Sequence, residues 1–166
     1  MAEHIQNISI DTPMLHLVYS STKLRLPNDG DIVDRISAFE NTPPSETIRL
    51  TWSIQQTQKC LGQINFGNHR IQVSGLAMPL PPVIMDRTIH VSPWQPQIKA
   101  SLRQHNTHIS LVYTGSHHDT VERMIALYQV AHALTDENLL GIVNEPAWTA
   151  HPVADFLDPS TITTYQ

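Results

Sequence analysis

Residues 76–115 read LAMPLPPVIMDRTIHVSPWQPQIKASLRQHNTHISLVYTG, and this stretch decides the local architecture of the chain. A strand runs up to Met78 and stops at a proline-rich corner, because proline cannot donate to a sheet ladder. A helix is predicted to begin at Ser92, a good N-cap, with Pro93 at the first helical position, where its missing N–H is not needed. His108 then opens a second strand, HISLVYTG.

The predicted helix carries one apolar stripe. Trp94, Ile98, Leu102 and His105 recur at helical spacing, so we expect this side to face the sheet. His105 and His108 therefore flank the junction between the helix and the next strand.

Alternation and turn residues predict further elements. Residues 48–54 alternate apolar with polar side chains, which favours antiparallel pairing with one wet face. Gly67-Asn68 is predicted to turn a hairpin between two strands, and helices are predicted over residues 31–40 and about 120–135. The connections before the last strands are long enough to permit parallel neighbours. We therefore predict an α+β fold in which a mixed, largely antiparallel sheet has helices packed mainly on one face.

The length of 166 residues fits a single α+β domain. Its core is expected over about residues 14–145, and residues 146–166 are expected to form a C-terminal tail docked on the domain or on a partner subunit.

Charge and composition bear on partners and compartment. The formal net charge is −5 with no basic stripe, so nucleic acid is not an expected partner. No window approaches the roughly 20 apolar residues of a membrane span, and no signal segment opens the chain, so a soluble, cytoplasmic protein is predicted without a membrane partner. Cys60 is alone, which suits a reducing compartment, and it is expected to be a packed strand residue.

Histidine is the residue type that most invites a functional reading, because imidazole binds metals and titrates near neutrality. His105 and His108 are the candidate ligand-binding pair, with Trp94 as a wall of the pocket. A catalytic zinc site needs three protein ligands, and the sequence supplies no third one nearby. We therefore predict no metal site and no cofactor; if a metal binds, His105 and His108 are its candidate ligands.

Specific catalytic signatures are absent from the sequence. It contains no Gly-x-Ser-x-Gly motif and no glycine-rich phosphate loop, and its carboxylates show no paired spacing. Catalytic residues are therefore left unassigned.

The corner at residues 78–82, the Trp94 helix, the His105 to His108 junction and an alanine-rich helix over residues 126–133 together resemble an uncharacterised bacterial family known only as a domain of unknown function. The resemblance covers most of residues 14–157. It implies a shared α+β fold and no known activity.

Two function classes remain open. The first is a non-enzymatic binding or protein-interaction domain that acts through a sheet edge, the proline corner or the tail. The alternative is a metal-binding protein or metal-dependent enzyme that uses His105 and His108. Self-association into a homo-oligomer through the tail is a further hypothesis.

Overall fold

The computed structural model describes residues 12–39 and 47–154. Within these ranges the chain forms seven strands and four helices, in the order β1 (Met14–Tyr19), α1 (Asp29–Ser37), β2 (Arg49–Gln55), β3 (Lys59–Phe66), β4 (His69–Leu76), α2 (Pro82–His90), α3 (Pro96–Arg103), β5 (Thr107–Tyr113), α4 (Thr120–Ala133), β6 (Leu139–Asn144) and β7 (Thr149–Pro152). No helix in these ranges is long and apolar enough to cross a membrane.

The strands form one sheet in the order β2-β3-β4-β5-β1-β6-β7, and every neighbouring pair is antiparallel. The α+β class is therefore confirmed. The parallel neighbours that the long connections permitted are not formed. The α4 crossover joins β5 to β6, but β1 lies between these two strands and pairs antiparallel with both.

The predicted hairpin is confirmed at Gly67-Asn68. β3 and β4 pair without a register shift from Lys59 with Leu76 to Phe66 with His69. Gly67 has a φ of 57°, a left-handed conformation that costs glycine little because it has no Cβ.

The alternation of residues 48–54 is interrupted in the structure. A β-bulge shifts the register after Trp52, which pairs with Gly62, so that Ile54 pairs with Leu61. Their partners Gly62 and Leu61 are consecutive residues of β3, and consecutive residues of a strand point to opposite faces. The bulge therefore puts Trp52 and Ile54 on opposite faces of the sheet, although regular alternation would put them on the same one.

Apolar side chains cover both faces of the sheet in two clusters. The larger cluster joins one face to α1 and α4, and includes Leu17, Ile142 and Leu127. The smaller cluster joins the opposite face to α2 and α3, and includes Val18 and Val143. Each face is thus covered by two helices. On the second face, α2 and α3 cover β1, β6 and β7. The part of this face formed by β3 and β4 carries polar residues such as Gln63 and the exposed Gln72.

The prolines of the corner predict only the end of a strand, but in the structure the corner also begins a helix. Pro82 begins α2 because proline is well tolerated at the first helical position. The next helix starts at Pro96 rather than Pro93, with Gln95 as its N-cap. Ser92 caps no helix start: its hydroxyl donates to the carbonyl of Thr88.

The tail is described as far as residue 154. Its first part forms β7, which pairs with β6 through contacts such as Ile142 with His151. Residues 155–166 of the expected docked tail lie outside the described residues. Cys60 is buried in β3 as expected, and burial raises the pKa of its thiol.

Candidate functional site

His105 ties the proline corner to the end of α3. Its Nε2 accepts the backbone N–H of Leu80 at 2.8 Å, and its Nδ1 lies 2.8 Å from the carbonyl oxygen of Leu102. Because a carbonyl can only accept, Nδ1 carries the proton and both ring nitrogens are used. Burial lowers the pKa of His105, which favours the neutral ring that these two bonds require. His105 therefore acts as a structural clamp.

His108, the second residue of β5, is held in a similar way. Its Nδ1 donates to the carbonyl oxygen of Met78 at 2.7 Å, which fixes that strand to the corner. Burial lowers the pKa of His108, and the nearby rings of His16 and His105 lower it further. His105 and His108 thus lie near each other, and both bond to the backbone of the corner.

Among the described residues, Trp94 shares no hydrogen-bond partner with His105 or His108. It follows α2 rather than standing on a helical stripe, and its indole N–H donates to the carbonyl oxygen of Ala150 at 2.5 Å. Its ring meets the edge of His151 at 6.3 Å between centroids. The bonded partners of Trp94 are therefore on β7.

A metal centre at His105 and His108 has little geometric support. Both nitrogens of His105 already have protein partners, so no lone pair remains for an ion. In the described parts of the chain, no group of three or more His, Cys, Asp or Glu residues is placed to hold a metal ion.

An open groove of about 370 Å³ lies between α2, the end of α3 and the turn that joins β6 to β7. We call it the Trp148 groove, and it is lined by Asp86, Arg87, His90, Val91, Arg103 and Trp148.

Trp148 is the unusual residue of this groove. Its backbone φ is 55°, in the left-handed region that a bulky residue seldom adopts, and its side chain is 53% exposed. The turn is closed by a hydrogen bond from the N–H of Trp148 to the carbonyl of Glu145 at 3.0 Å. A strained backbone that presents a large aromatic ring to solvent is typical of binding sites.

The groove is cationic although the chain is acidic. Its lining has one carboxylate and two guanidinium groups, whereas the formal net charge of the chain is −5. The guanidinium of Arg87 lies 5.4 Å from the centre of the Trp148 ring, within the range of a cation–π contact. Arg103 is 3.5 Å from Asp86, but both side chains are largely exposed, so this ion pair is weak.

One face of α2 extends this surface. Val83, Arg87 and Val91 are spaced four residues apart, so they share a face, and the two valines are 65% and 58% exposed. The exposed face of α2 therefore offers apolar contacts on either side of a fixed positive charge.

A second group of polar side chains lies on the same face of the sheet, outside the Trp148 groove. His16 on β1 has Ser110 Oγ 2.8 Å from its Nδ1 and Glu145 Oε2 2.8 Å from its Nε2. These three residues come from β1, β5 and the turn after β6.

Sequence reasoning missed both groups. The available signal for the second was His16 itself, a polar residue within the apolar strand MLHLVY. Trp148 falls in the predicted tail, and no local spacing connects it with Arg87 and Arg103. Comparison with protein-family models, with curated proteins and with solved structures finds no match for this chain.

Proposed function

We propose that this protein is a binding domain whose Trp148 groove takes an acidic peptide segment carrying a large apolar side chain. The observation that carries this proposal is Trp148, a half-exposed indole held at a φ of 55° beside Arg87. The proposal keeps the binding-domain class expected from the sequence. Of the surfaces expected to bind, it favours the start of the tail, where Trp148 lies, over the proline corner and the His105–His108 pair.

The strain at Trp148 supports a role outside folding. A left-handed backbone costs a residue with a side chain roughly 1–2 kcal/mol, which glycine would avoid. Burial in the folded chain uses only part of the tryptophan, because about half of its surface stays in water. At an interface, however, a rigid aromatic ring contributes a large contact area at low entropic cost.

Charge complementarity selects the partner. Arg87 and Arg103 can each hold a carboxylate through paired N–H donors, and the exposed side chains of Val83 and Val91 lie on either side of Arg87. An acidic segment with one aromatic or aliphatic anchor satisfies both properties, whereas a basic segment would meet two arginines.

The alternative of a metal-binding protein or metal-dependent enzyme has less support, since the backbone hydrogen bonds of His105 and His108 explain why these rings are buried. Cytoplasmic location and self-association stay predictions. Self-association through the groove would give a mass in solution that falls to the monomer value in Trp148→Ala.

The test is selection of random linear peptides displayed on phage against the purified protein. We expect enriched sequences in which Asp or Glu surrounds a large apolar residue. Their affinity should fall at least about tenfold for Trp148→Ala and for Arg87→Glu, the loss typical of a truncated interface anchor.

Val121→Ala is the matched control, because Val121 is an exposed apolar residue, 66% accessible, on α4 against the other face of the sheet. Its binding should equal that of the wild type. Enrichment without an acidic bias, or equal binding by Trp148→Ala, would contradict the proposal.

A further inference from the structure

We propose that Ser110 is a nucleophile activated by His16 and oriented through Glu145, and that this site hydrolyses uncharged carboxylic esters. This activity goes beyond the binding function, because it uses a different set of side chains from those lining the Trp148 groove.

The sheet register places the three residues. Ser110 and His16 are direct cross-strand partners on β5 and β1, and Val143 of β6 is the partner of His16 on its other side. Glu145 follows the end of β6, from where its carboxylate reaches His16. Three adjacent strands therefore hold the group.

The hydrogen bonds fix the direction in which a proton can move. A carboxylate only accepts, so the 2.8 Å contact with Glu145 Oε2 puts a proton on Nε2 of His16. In the neutral ring Nδ1 is then an acceptor, and the hydroxyl of Ser110, 2.8 Å away, donates to it. A serine whose hydroxyl donates to a base held by a third group is the arrangement that activates a serine nucleophile.

The two ring nitrogens of His16 bond the serine and the carboxylate in the opposite order to that of a serine protease. In the serine protease triad the nucleophile bonds Nε2 and the acid bonds Nδ1. The exchange keeps the chemistry, because each nitrogen of imidazole can take up a proton while the other is bonded to the carboxylate.

The surroundings allow access and indicate the substrate. His16 is only 6% exposed, whereas Ser110 is half-buried at the boundary between the helix-covered and the polar parts of this face. Ser74, on β4, is the direct partner of Ser110 and lies on the same face, so its hydroxyl is a candidate donor to a developing oxyanion. Gln72, on the same face two residues from Ser74, is uncharged and cannot pair with a charged substrate group, so we assign a neutral ester as the substrate.

Each step balances. Ser110 Oγ adds to the ester carbonyl carbon while its proton passes to His16 Nδ1. The tetrahedral intermediate expels the alkoxide, which takes that proton and leaves as the alcohol, and an acyl ester forms on Ser110. Water then adds to the acyl carbon, gives its proton to His16, and the collapse releases the carboxylic acid and returns the proton to Ser110.

The experiment treats the full chain with a fluorophosphonate, which loses fluoride when a serine oxygen attacks phosphorus, and locates the adduct by peptide mass spectrometry. Initial hydrolysis of p-nitrophenyl acetate is measured in parallel. We expect an adduct on Ser110 in the wild type and no adduct in Ser110→Ala. Hydrolysis of p-nitrophenyl acetate by Ser110→Ala should fall to the slow rate that histidine side chains give without a serine nucleophile. Ser101→Ala, which removes an exposed hydroxyl on α3, should behave like the wild type.

Glu145→Gln tests the positioning role without emptying the core, because the Glu145 side chain is 30% exposed. A carboxamide can donate to Nε2 and reverse the tautomer, so the labelling rate should fall on the order of 100-fold or more. Nitrogen-15 spectra of the His16 ring should show the proton leaving Nε2, a change that a loss of packing alone would not produce. The proposal is overturned if the wild type is not labelled on Ser110, or if hydrolysis by Ser110→Ala or labelling of Glu145→Gln equals that of the wild type.

Discussion

Replacing His105 with leucine should destabilise the protein strongly, although leucine is similar in size. The substitution removes the imidazole and leaves the N–H of Leu80 and the carbonyl of Leu102 without their 2.8 Å hydrogen bonds. His105 is 3% exposed, so water has little access to either group. Each buried backbone group without a partner costs about 1–3 kcal/mol, which gives about 2–6 kcal/mol for the pair.

That loss is large against the 5–15 kcal/mol of a typical domain and corresponds to roughly 2–4 °C of melting temperature per kcal/mol at this size. Urea denaturation followed by circular dichroism measures it, with His118→Leu as the control because His118 is exposed. The clamp is refuted if His105→Leu and His118→Leu unfold at the same urea concentration with the same slope.

Three further predictions concern the stability of the fold. Trp148→Gly should be more stable to urea than Trp148→Ala by about 1 kcal/mol, because only alanine keeps the strain of a positive φ; equal stabilities would contradict a strained turn. Gly141→Ala should lower the free energy of unfolding by roughly 1–3 kcal/mol, because its Cβ would lie 2.4 Å from the carbonyl oxygen of His151; a neutral effect in thermal melts would show that β7 yields easily. Lowering the pH below about 6.5, the pKa of histidine in an unfolded chain, should reduce stability. Burial lowers the pKa of His69, His105, His108 and His132 in the folded state, so the unfolded chain binds more protons in this pH range. A urea midpoint that does not change between pH 8 and pH 5 would contradict this prediction.

Local chemistry explains which elements the sequence predicts well. Gly67 and Asn68 turn the hairpin because a two-residue turn needs a positive φ, and Asp119 starts α4 by accepting the N–H groups of Val121 and Glu122. These signals act within a few residues, so they can be recognised without the fold.

Proline gave an ambiguous signal in the same stretch. It ends a strand and it also begins a helix, and the corner at residues 79–82 does both, so α2 was missed. The missed helix shifted the start of α3 and gave Trp94 a stripe position that it does not occupy.

The sites depend on contacts that no local pattern encodes. His16 is 94 residues from Ser110 and 129 from Glu145, and only the sheet order β5-β1-β6 brings them together. Of the predicted site residues, His105 and His108 lie near each other, but both ring nitrogens of His105 and Nδ1 of His108 bond the backbone, a property that residue spacing cannot reveal.

The most direct measurement of the binding proposal is a charge exchange between the groove and its peptide. A selected acidic peptide should lose at least about tenfold in affinity for Arg87→Glu, since the variant places like charges together. The same peptide with its acids changed to lysine should bind Arg87→Glu better than it binds the wild type, as measured by calorimetry. If the lysine peptide gains nothing from Arg87→Glu, the groove does not recognise charge and the binding proposal is wrong.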